Sequence, residues 1–206
     1  MSRDLAPIAA YYAQKLAEHG QAARGVDWNG EESQVLRFEQ LARIIDLPPS
    51  FSVNDLGCGY GALFDFLAAR YEGFSYRGID VSAEMVAAAR GRLGTHRKAA
   101  FELGEVPSTV ADFGIASGIF NVRLDSPDGD WVQHVETTLE AMDRTSTRGF
   151  AFNCLTSYSD ADRMRAHLYY CDPLRLFDFC KRRFSRNVAL LHDYGLYEFT
   201  ILVRKR

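Results

Sequence analysis

The run Val53-Asn-Asp-Leu-Gly-Cys-Gly-Tyr-Gly-Ala-Leu-Phe64 decides how the rest of the chain is read. Phe51 and Val53 to Leu56 spell a short buried strand, and Ala62 to Arg70 spells a helix. Between them stand the alternating glycines Gly57, Gly59 and Gly61. Loss of Cβ at alternate positions clears one edge of the turn, so a ligand can lie against the backbone. The helix behind the turn directs free N–H groups and its positive dipole end at the same place. Strand, glycine turn and helix in this order predict a pocket for a nucleotide-type ligand.

Outward from this run, strands and helices alternate. Phe74 to Asp80 reads as a second strand, and Ser82 caps a helix through Arg92 that turns Met85, Val86, Ala89 and Leu93 inward. Ala99 to Leu103 and Phe113 to Ile119 read as the third and fourth strands. A helix over Asp128 to Met142 carries the stripe Trp131, Val135, Leu139 and Met142, and Arg148 to Leu155 is the fifth strand. Ser159 to Phe184 reads as a helical region interrupted at Pro173. The final strands, Asn187 to Leu191 and Leu196 to Val203, are joined by His192-Asp-Tyr-Gly195, which is too short for a crossover helix and makes the pair antiparallel. The expected fold is α/β: a doubly wound, seven-stranded, mostly parallel sheet with a terminal antiparallel hairpin. In front of it, residues 7–19 and 31–46 read as two amphipathic helices, separated by a loop and followed by the breaker Leu47-Pro-Pro-Ser-Phe51. The organisation expected is one domain over 1–206, with a helical cover in 1–48 and a core in 51–206.

Composition removes several function classes. With 206 residues and 47% hydrophobic content the chain is long enough for a full core. A net charge of −3 gives no electrostatic case for a nucleic-acid partner. Cys58, Cys154, Cys171 and Cys180 lack metal-ligand or framework spacing, so reduced thiols in a cytoplasmic protein are expected, with no metal. The start Met1-Ser-Arg-Asp-Leu-Ala6 has no long apolar run, and neither a signal peptide nor a membrane-spanning helix is expected.

The glycine spacing narrows the ligand. A dinucleotide turn follows Gly-x-Gly-x-x-Gly, which leaves room for a pyrophosphate at the helix start. Here the order is Gly57-x-Gly59-x-Gly61 behind Asp55, and an acid is a poor neighbour for a pyrophosphate but suits a cation. Asp80 ends the second strand, where a ribose diol can be gripped by charge-assisted hydrogen bonds or where the acid simply caps the next helix.

Asp55-Leu-Gly-Cys-Gly-Tyr-Gly61 followed by Gly78-Ile-Asp80-Val-Ser82 resembles the class I S-adenosylmethionine-dependent methyltransferases. The resemblance covers the chain from about residue 51 to its end, including the terminal hairpin. It implies that Gly57, Cys58, Gly59 and Gly61 lie against the methionine portion, with Asp55 beneath. It implies further that Asp80 holds the ribose, that Val81 and Met85 flank the adenine, that Gly104-Glu105 contacts its edge, and that Ser117 and Phe120 line the space near the methyl group. The stretch Ser117-Gly-Ile-Phe-Asn121 departs from the Asn/Asp-Pro-Pro-Tyr/Phe motif of nucleobase amino methyltransferases, which counts against a nucleic-acid acceptor. The N-terminal helices resemble those of small-molecule members. Trp28 would close over the cofactor, and Gln34 and Arg37, three apart on one helix face, would meet its carboxylate. The implied donor is S-adenosylmethionine, with S-adenosylhomocysteine as product and a small-molecule acceptor. His192-Asp193-Tyr194, at a hairpin tip expected to face the ligand edge, is the candidate for a catalytic base. Alternatives kept open are a cofactor-binding module without catalysis and a protein or nucleic-acid acceptor.

Overall fold

The structure, a computed structural model, describes residues 4–46 and 49–205. Leu47 and Pro48 of the expected breaker lie outside the described residues. The glycine-turn unit is strand β1 (Phe51–Leu56) followed by helix α3 (Ala62–Ala68). Next come β2 (Phe74–Asp80), α4 (Ala83–Leu93), β3 (Ala99–Leu103), β4 (Ala111–Ala116), α5 (Asp128–Arg144) and β5 (Ser146–Thr156). The short β6 (Tyr170–Cys171), α6 (Pro173–Arg183), β7 (Asn187–Leu191) and β8 (Glu198–Arg204) complete the core, and α1 (Ala6–His19) and α2 (Glu31–Ala42) precede it.

The sheet runs β3-β2-β1-β4-β5-β8-β7, with β6 added beside the end of β5. The pairs β1–β2, β1–β4, β2–β3 and β4–β5 are parallel, whereas β8 is antiparallel to both β5 and β7. This is the doubly wound sheet with a terminal antiparallel pair expected from the sequence. Strand order reverses at β1, between β2 on one side and β4 on the other, so the ligand crevice belongs beyond the carboxyl ends of β1 and β4. In register, Asp55 lies beside Gly78 of β2 and Ile115 of β4, which puts the glycine turn at that crevice.

Each face of the sheet buries its own core. On one face Leu41 of α2, Leu63 and Leu67 of α3, and Val86 and Ala89 of α4 pack over Val53 and Phe113. On the other face Trp131, Val135 and Leu139 of α5 and Leu176 and Cys180 of α6 pack over Phe152 and Phe199. Side chains of this size lose ~2–5 kcal/mol each when truncated to alanine in a close-packed interior, so the helix stripes read from the sequence are what hold the layers together.

One local difference from the sequence reading has a clear physical cause. Pro173 starts α6 instead of interrupting a longer helix: it sits at the first helical position, and the Asp172 carboxylate accepts from the Leu174 N–H at 2.9 Å. The stretch from Ser157 to Asp172 is therefore mostly irregular, tied down by β6 and by a bridge between Val122 and Leu168. Elsewhere, only residues 104–110 join β3 to β4, which leaves no room for a crossover helix. On that side β2 and β3 present Ser75, Arg77, Ala100 and Glu102 toward solvent. Arg77 reaches Glu102 at 3.3 Å, and Glu102 accepts from the Ser108 N–H at 2.8 Å and its hydroxyl at 2.6 Å. The linking strap is thus pinned across a polar sheet face where a helix would need an apolar one.

Candidate active site

A cavity of about 1060 Å³ opens at the reversal point of the sheet. Its floor is the end of β1 and the glycine turn. The Gly57 and Cys58 N–H groups donate to the Ile79 carbonyl at 2.7 and 3.0 Å, which ties the turn to β2. Gly57, Gly59 and Gly61 all have positive φ, at +74°, +54° and +87°, a region where other residues pay in steric strain. A Cβ at Gly57 would stand 2.1 Å from the Ile119 side chain, and one at Gly59 would stand 2.9 Å from Val26. Gly61 serves helix packing: its Cβ would meet Leu93 at 3.0 Å, and it does not belong to the cavity wall.

Two buried acids stand at this floor. Asp80 accepts from the Gly59 N–H and from the Ser82 N–H, each at 2.9 Å, so it braces the turn and the start of α4 together. Burial raises its pKa, and the N–H groups of Ser82, Gly59 and Val81 hold the rise back. Asp55 accepts a hydrogen bond from the Tyr76 hydroxyl at 2.5 Å. Burial pushes its carboxyl up to about 7 from 3.8, with the Tyr76 bond opposing and the Asp80 charge adding to the rise. Among the described residues, neither acid is paired with a basic side chain: their partners are the Tyr76 hydroxyl and backbone N–H groups. Ser117, just after β4, also lines the cavity, and its buried hydroxyl has no hydrogen-bond partner among the described residues. Two buried acids without a counter-charge and one orphaned hydroxyl on a common wall are the marks of a site that awaits a polar, cationic ligand.

The remaining wall comes from the N-terminal helices and from α5. Leu5, Ile8, Tyr12, Val26, Trp28, Gln34 and Phe38 close one end. Asp130, Gln133, His134, Thr137 and Arg144 of α5 extend the other, along the side left open by the missing crossover helix. The Tyr60 hydroxyl lies 3.4 Å from Gln34, and the Tyr12 phenol is pushed well upward by burial, with Asp27 and Tyr11 adding to it.

The comparisons with known proteins agree with this geometry. Residues 53–135 match the family described as "Methyltransferase domain". The chain is 60% identical over 163 residues to the protein named "Putative methyltransferase Rv1506c" of Mycobacterium tuberculosis, a match that takes in 79% of this chain and 98% of the relative. This chain belongs to the methyltransferases. In fold it is similar to the magnesium protoporphyrin IX methyltransferase of Synechocystis PCC 6803 with bound S-adenosylhomocysteine, at TM-score 0.69 and 15% identity, over 98% of this chain and 100% of that one. It is likewise similar to DhpI in complex with S-adenosylhomocysteine, at TM-score 0.67 and 16% identity, over 95% of this chain and 94% of that one.

Of the residues expected to touch the cofactor, the methyltransferase brings Trp28, Gln34, Asp55, Gly57, Cys58 and Gly59 onto one wall. Asp80, Val81, Met85, Gly104, Glu105 and Ser117 join them there. Gly61, Arg37 and Phe120 are not brought to it. Phe120 is fully buried, packs on Phe152 at 5.8 Å between ring centroids, and offers its carbonyl to the Trp131 indole at 3.0 Å. Arg37 is buried behind the wall and forks onto Glu198.

The hairpin tip also departs from expectation. Among the described residues, the cavity wall does not include His192, Asp193 or Tyr194. The Tyr194 hydroxyl is 3.0 Å from the Thr200 hydroxyl, and the exposed His192 ring lies 5.9 Å from Tyr158 and 6.1 Å from Phe199. The tip does lie at the ligand end of the sheet, but its side chains fold onto β8 and the segment after β5. Sequence reasoning missed the α5 wall altogether. The signal for it was the short 104–110 link, which announces an uncovered flank beside α5.

The four cysteines are buried free thiols. Burial raises Cys58 and Cys154 well above the ordinary thiol value and pushes Cys171 up to about 11, which keeps them protonated and unreactive. No helix among the described residues is long and apolar enough to cross a membrane.

Proposed function

We propose that the chain moves the methyl group of S-adenosylmethionine to a small-molecule acceptor that bears no carboxylate or phosphate at its reacting end. The observation that carries this reading is the charge of the wall: among the described residues, Asp4, Asp55, Asp80, Glu105 and Asp130 face the cavity with Arg144 as the arginine or lysine side chain, at the far end of α5. Arg37, which a sequence reading assigns to an anion, is neutralised by Glu198. At about 1060 Å³ the cavity reaches the upper end of the range for ligand pockets, with room for donor and acceptor together.

The residues fit the donor as follows. Asp80 and Glu105 would hold the ribose and the adenine edge, Val81 and Met85 would flank the adenine, and the Ser117 hydroxyl would gain the partner it lacks. When bound, the donor supplies an activated methyl on sulfur, open to in-line attack by a lone pair of the acceptor. Asp55 would face a cationic ligand, and a positive charge there would restore its ionised form. Tyr12, Trp28 and Phe38 would exclude water and align the acceptor, and this is the main source of rate in a reaction that needs position more than proton transfer. The apolar character of that end favours acceptors with an aromatic or aliphatic body. The structural neighbour that methylates magnesium protoporphyrin IX, by its name, is a small-molecule enzyme, which supports the reading without fixing the acceptor.

The test has two arms. Calorimetry with S-adenosylmethionine and S-adenosylhomocysteine reads the donor site; absence of binding to both would overturn it. A metabolite extract, separated on an anion exchanger before reaction, is then assayed for S-adenosylhomocysteine release. Acceptor activity is expected in the unretained fraction, and activity confined to the retained, anionic fraction overturns the acceptor class. Binding without release from any fraction would favour a cofactor-binding module.

A further inference from the structure

Arg37 was expected at the cofactor's carboxylate, and the structure gives it other work. Its Nε donates to both Glu198 carboxylate oxygens, at 3.0 and 2.9 Å, and Nη2 donates to Oε1 at 2.6 Å. Its Nη1 donates to the Ser33 carbonyl at 2.7 Å, one turn back in α2. The guanidinium also lies 3.9 Å from the centre of the Trp28 ring. Glu198, the first residue of β8, receives a further hydrogen bond from the Asn153 side-chain amide at 2.5 Å. The other end of that amide, Oδ1, accepts from the Gly118 N–H at 2.8 Å. Trp28 closes the circuit, because a Cβ on Gly118 would stand 2.3 Å from its ring. Arg37, Glu198 and Asn153 are all almost fully buried, at 5%, 1% and 0% exposure.

We propose that Arg37, Glu198 and Asn153 form a buried latch that fixes the N-terminal helices on the end of the sheet and sets the positions of Trp28 and Gly118, two parts of the cavity wall. Arg37 is on this view a positioning residue that acts through Trp28 and Asn153. The argument is one of occupancy. A guanidinium whose fork is matched to a carboxylate, whose Nη1 donates to a backbone carbonyl and whose face is covered by an indole is already neutralised and, at 5% exposure and off the cavity wall, is not presented to a ligand carboxylate. Its partners instead connect three elements far apart in sequence, α2, β5 and β8, to the turn after β4 that carries Ser117 and Gly118. An ion pair buried this deeply is weak support for stability in itself, since an apolar pair of similar size serves a core as well. What an apolar pair does not reproduce is the directed chain of hydrogen bonds that ends on the Gly118 N–H.

The test separates a latch from a ligand contact and from a merely structural pair. Two variants of the full chain are compared with wild type: Arg37→Lys, which keeps the charge and loses the fork, and Arg37→Met combined with Glu198→Leu, which replaces the pair by apolar side chains. Acrylamide quenching of Trp28, isolated by difference from a Trp28→Phe variant, reads the cover. Calorimetry with S-adenosylhomocysteine and with 5′-methylthioadenosine, which lacks the amino-acid carboxylate, reads the site. The expected result is greater quenching of Trp28 in both variants and an equal loss of affinity for both ligands, about tenfold for a displacement well under 1 Å. The double variant should stay folded, with a melting temperature lowered by no more than several degrees for the stranded Asn153 amide. Loss of S-adenosylhomocysteine affinity with 5′-methylthioadenosine unaffected would return Arg37 to the carboxylate and overturn the latch. Unchanged quenching and affinities in a folded double variant would overturn it as well. The ligand arm rests on the donor reading. Should wild type bind neither ligand, that reading fails, and the quenching arm still decides the latch.

Discussion

The protein buries carboxylates in two places, and they are built in opposite ways. Glu198 is enclosed and fully matched: an arginine fork, an amide and no access to the cavity. Asp55 and Asp80 are just as buried, yet they are held only by neutral donors, a tyrosine hydroxyl and backbone N–H groups. Both arrangements pay to remove charge from water, but only the first recovers that cost within the chain. The second leaves the recovery to whatever enters the cavity. The difference separates a joint from a site more clearly than burial or pocket membership alone; on the proposed function, a cationic donor would meet Asp55, whereas Arg37 is already matched by Glu198.

The largest effect that tests this contrast is expected at the joint. Glu198→Ala would strand the Arg37 charge in the interior and should cost ~3–5 kcal/mol of stability, read by urea unfolding. A loss below about 1 kcal/mol, the range of an exposed pair, would show that the pair is not the enclosed joint described. Asp55→Asn should behave in the opposite sense. The folded protein holds the Asp55 proton up to about pH 7, whereas the unfolded chain loses it near 3.8, so this group's contribution to stability is full below 3.8 and is lost as pH rises through 7. The variant should therefore flatten the fall in unfolding free energy between about pH 4 and 7 without large loss at pH 8. Its affinity for S-adenosylmethionine at pH 8 should drop by ~1.5–3 kcal/mol, the scale of a hydrogen bond to a charged group. Wild-type affinity should itself rise with pH through about 7. An affinity that is flat with pH, or unaltered by the substitution, would break the comparison.

The glycines allow a finer cut. Gly57 and Gly59 belong to the cavity floor, whereas Gly61 packs against Leu93. Gly61→Ala should cost ~1–2 kcal/mol for the left-handed backbone and leave donor affinity within about twofold of wild type once the variant is folded. An affinity loss larger than that would extend the ligand contact to the third glycine.

How much of this was legible before the structure depended on whether the signal was local. The β1 turn, the carboxyl end of β2 and the helix stripes are short-range signals, and Asp55, Gly59, Asp80 and Met85, which they single out, line the cavity. The fate of Arg37 was hidden because its partner, Glu198, is 161 residues away and approaches only when β8 inserts between β5 and β7. Gln34 shares the helix face and does reach the cavity, so periodicity gave the face and could not say which of the two side chains met a partner first. Pro173 misled for a different reason: a proline in a helical pattern marks a start or a break equally well, and the Asp172 cap decides between them. The α5 wall was legible in principle, from a 104–110 link too short for a helix.

The smallest expected effect concerns the hairpin tip, where His192, Asp193 and Tyr194 stood as candidates for a base. A base must reach the proton it takes, directly or through one water, and the geometry here is set by side chains that point elsewhere: Tyr194 toward Thr200, His192 toward Tyr158 and Phe199. His192→Ala removes an exposed ring, so its stability change should stay within ~0.5 kcal/mol. Turnover with whichever acceptor the extract assay supplies should stay within about twofold, because a positioned base contributes ~10²–10⁴ and its loss could not pass unnoticed. A fall of a hundredfold with unaltered S-adenosylhomocysteine affinity would instead mean that the tip swings into the cavity once acceptor is bound. Proton removal would then have to be added to positioning, and the hairpin would count as a third kind of region beside the joint and the site.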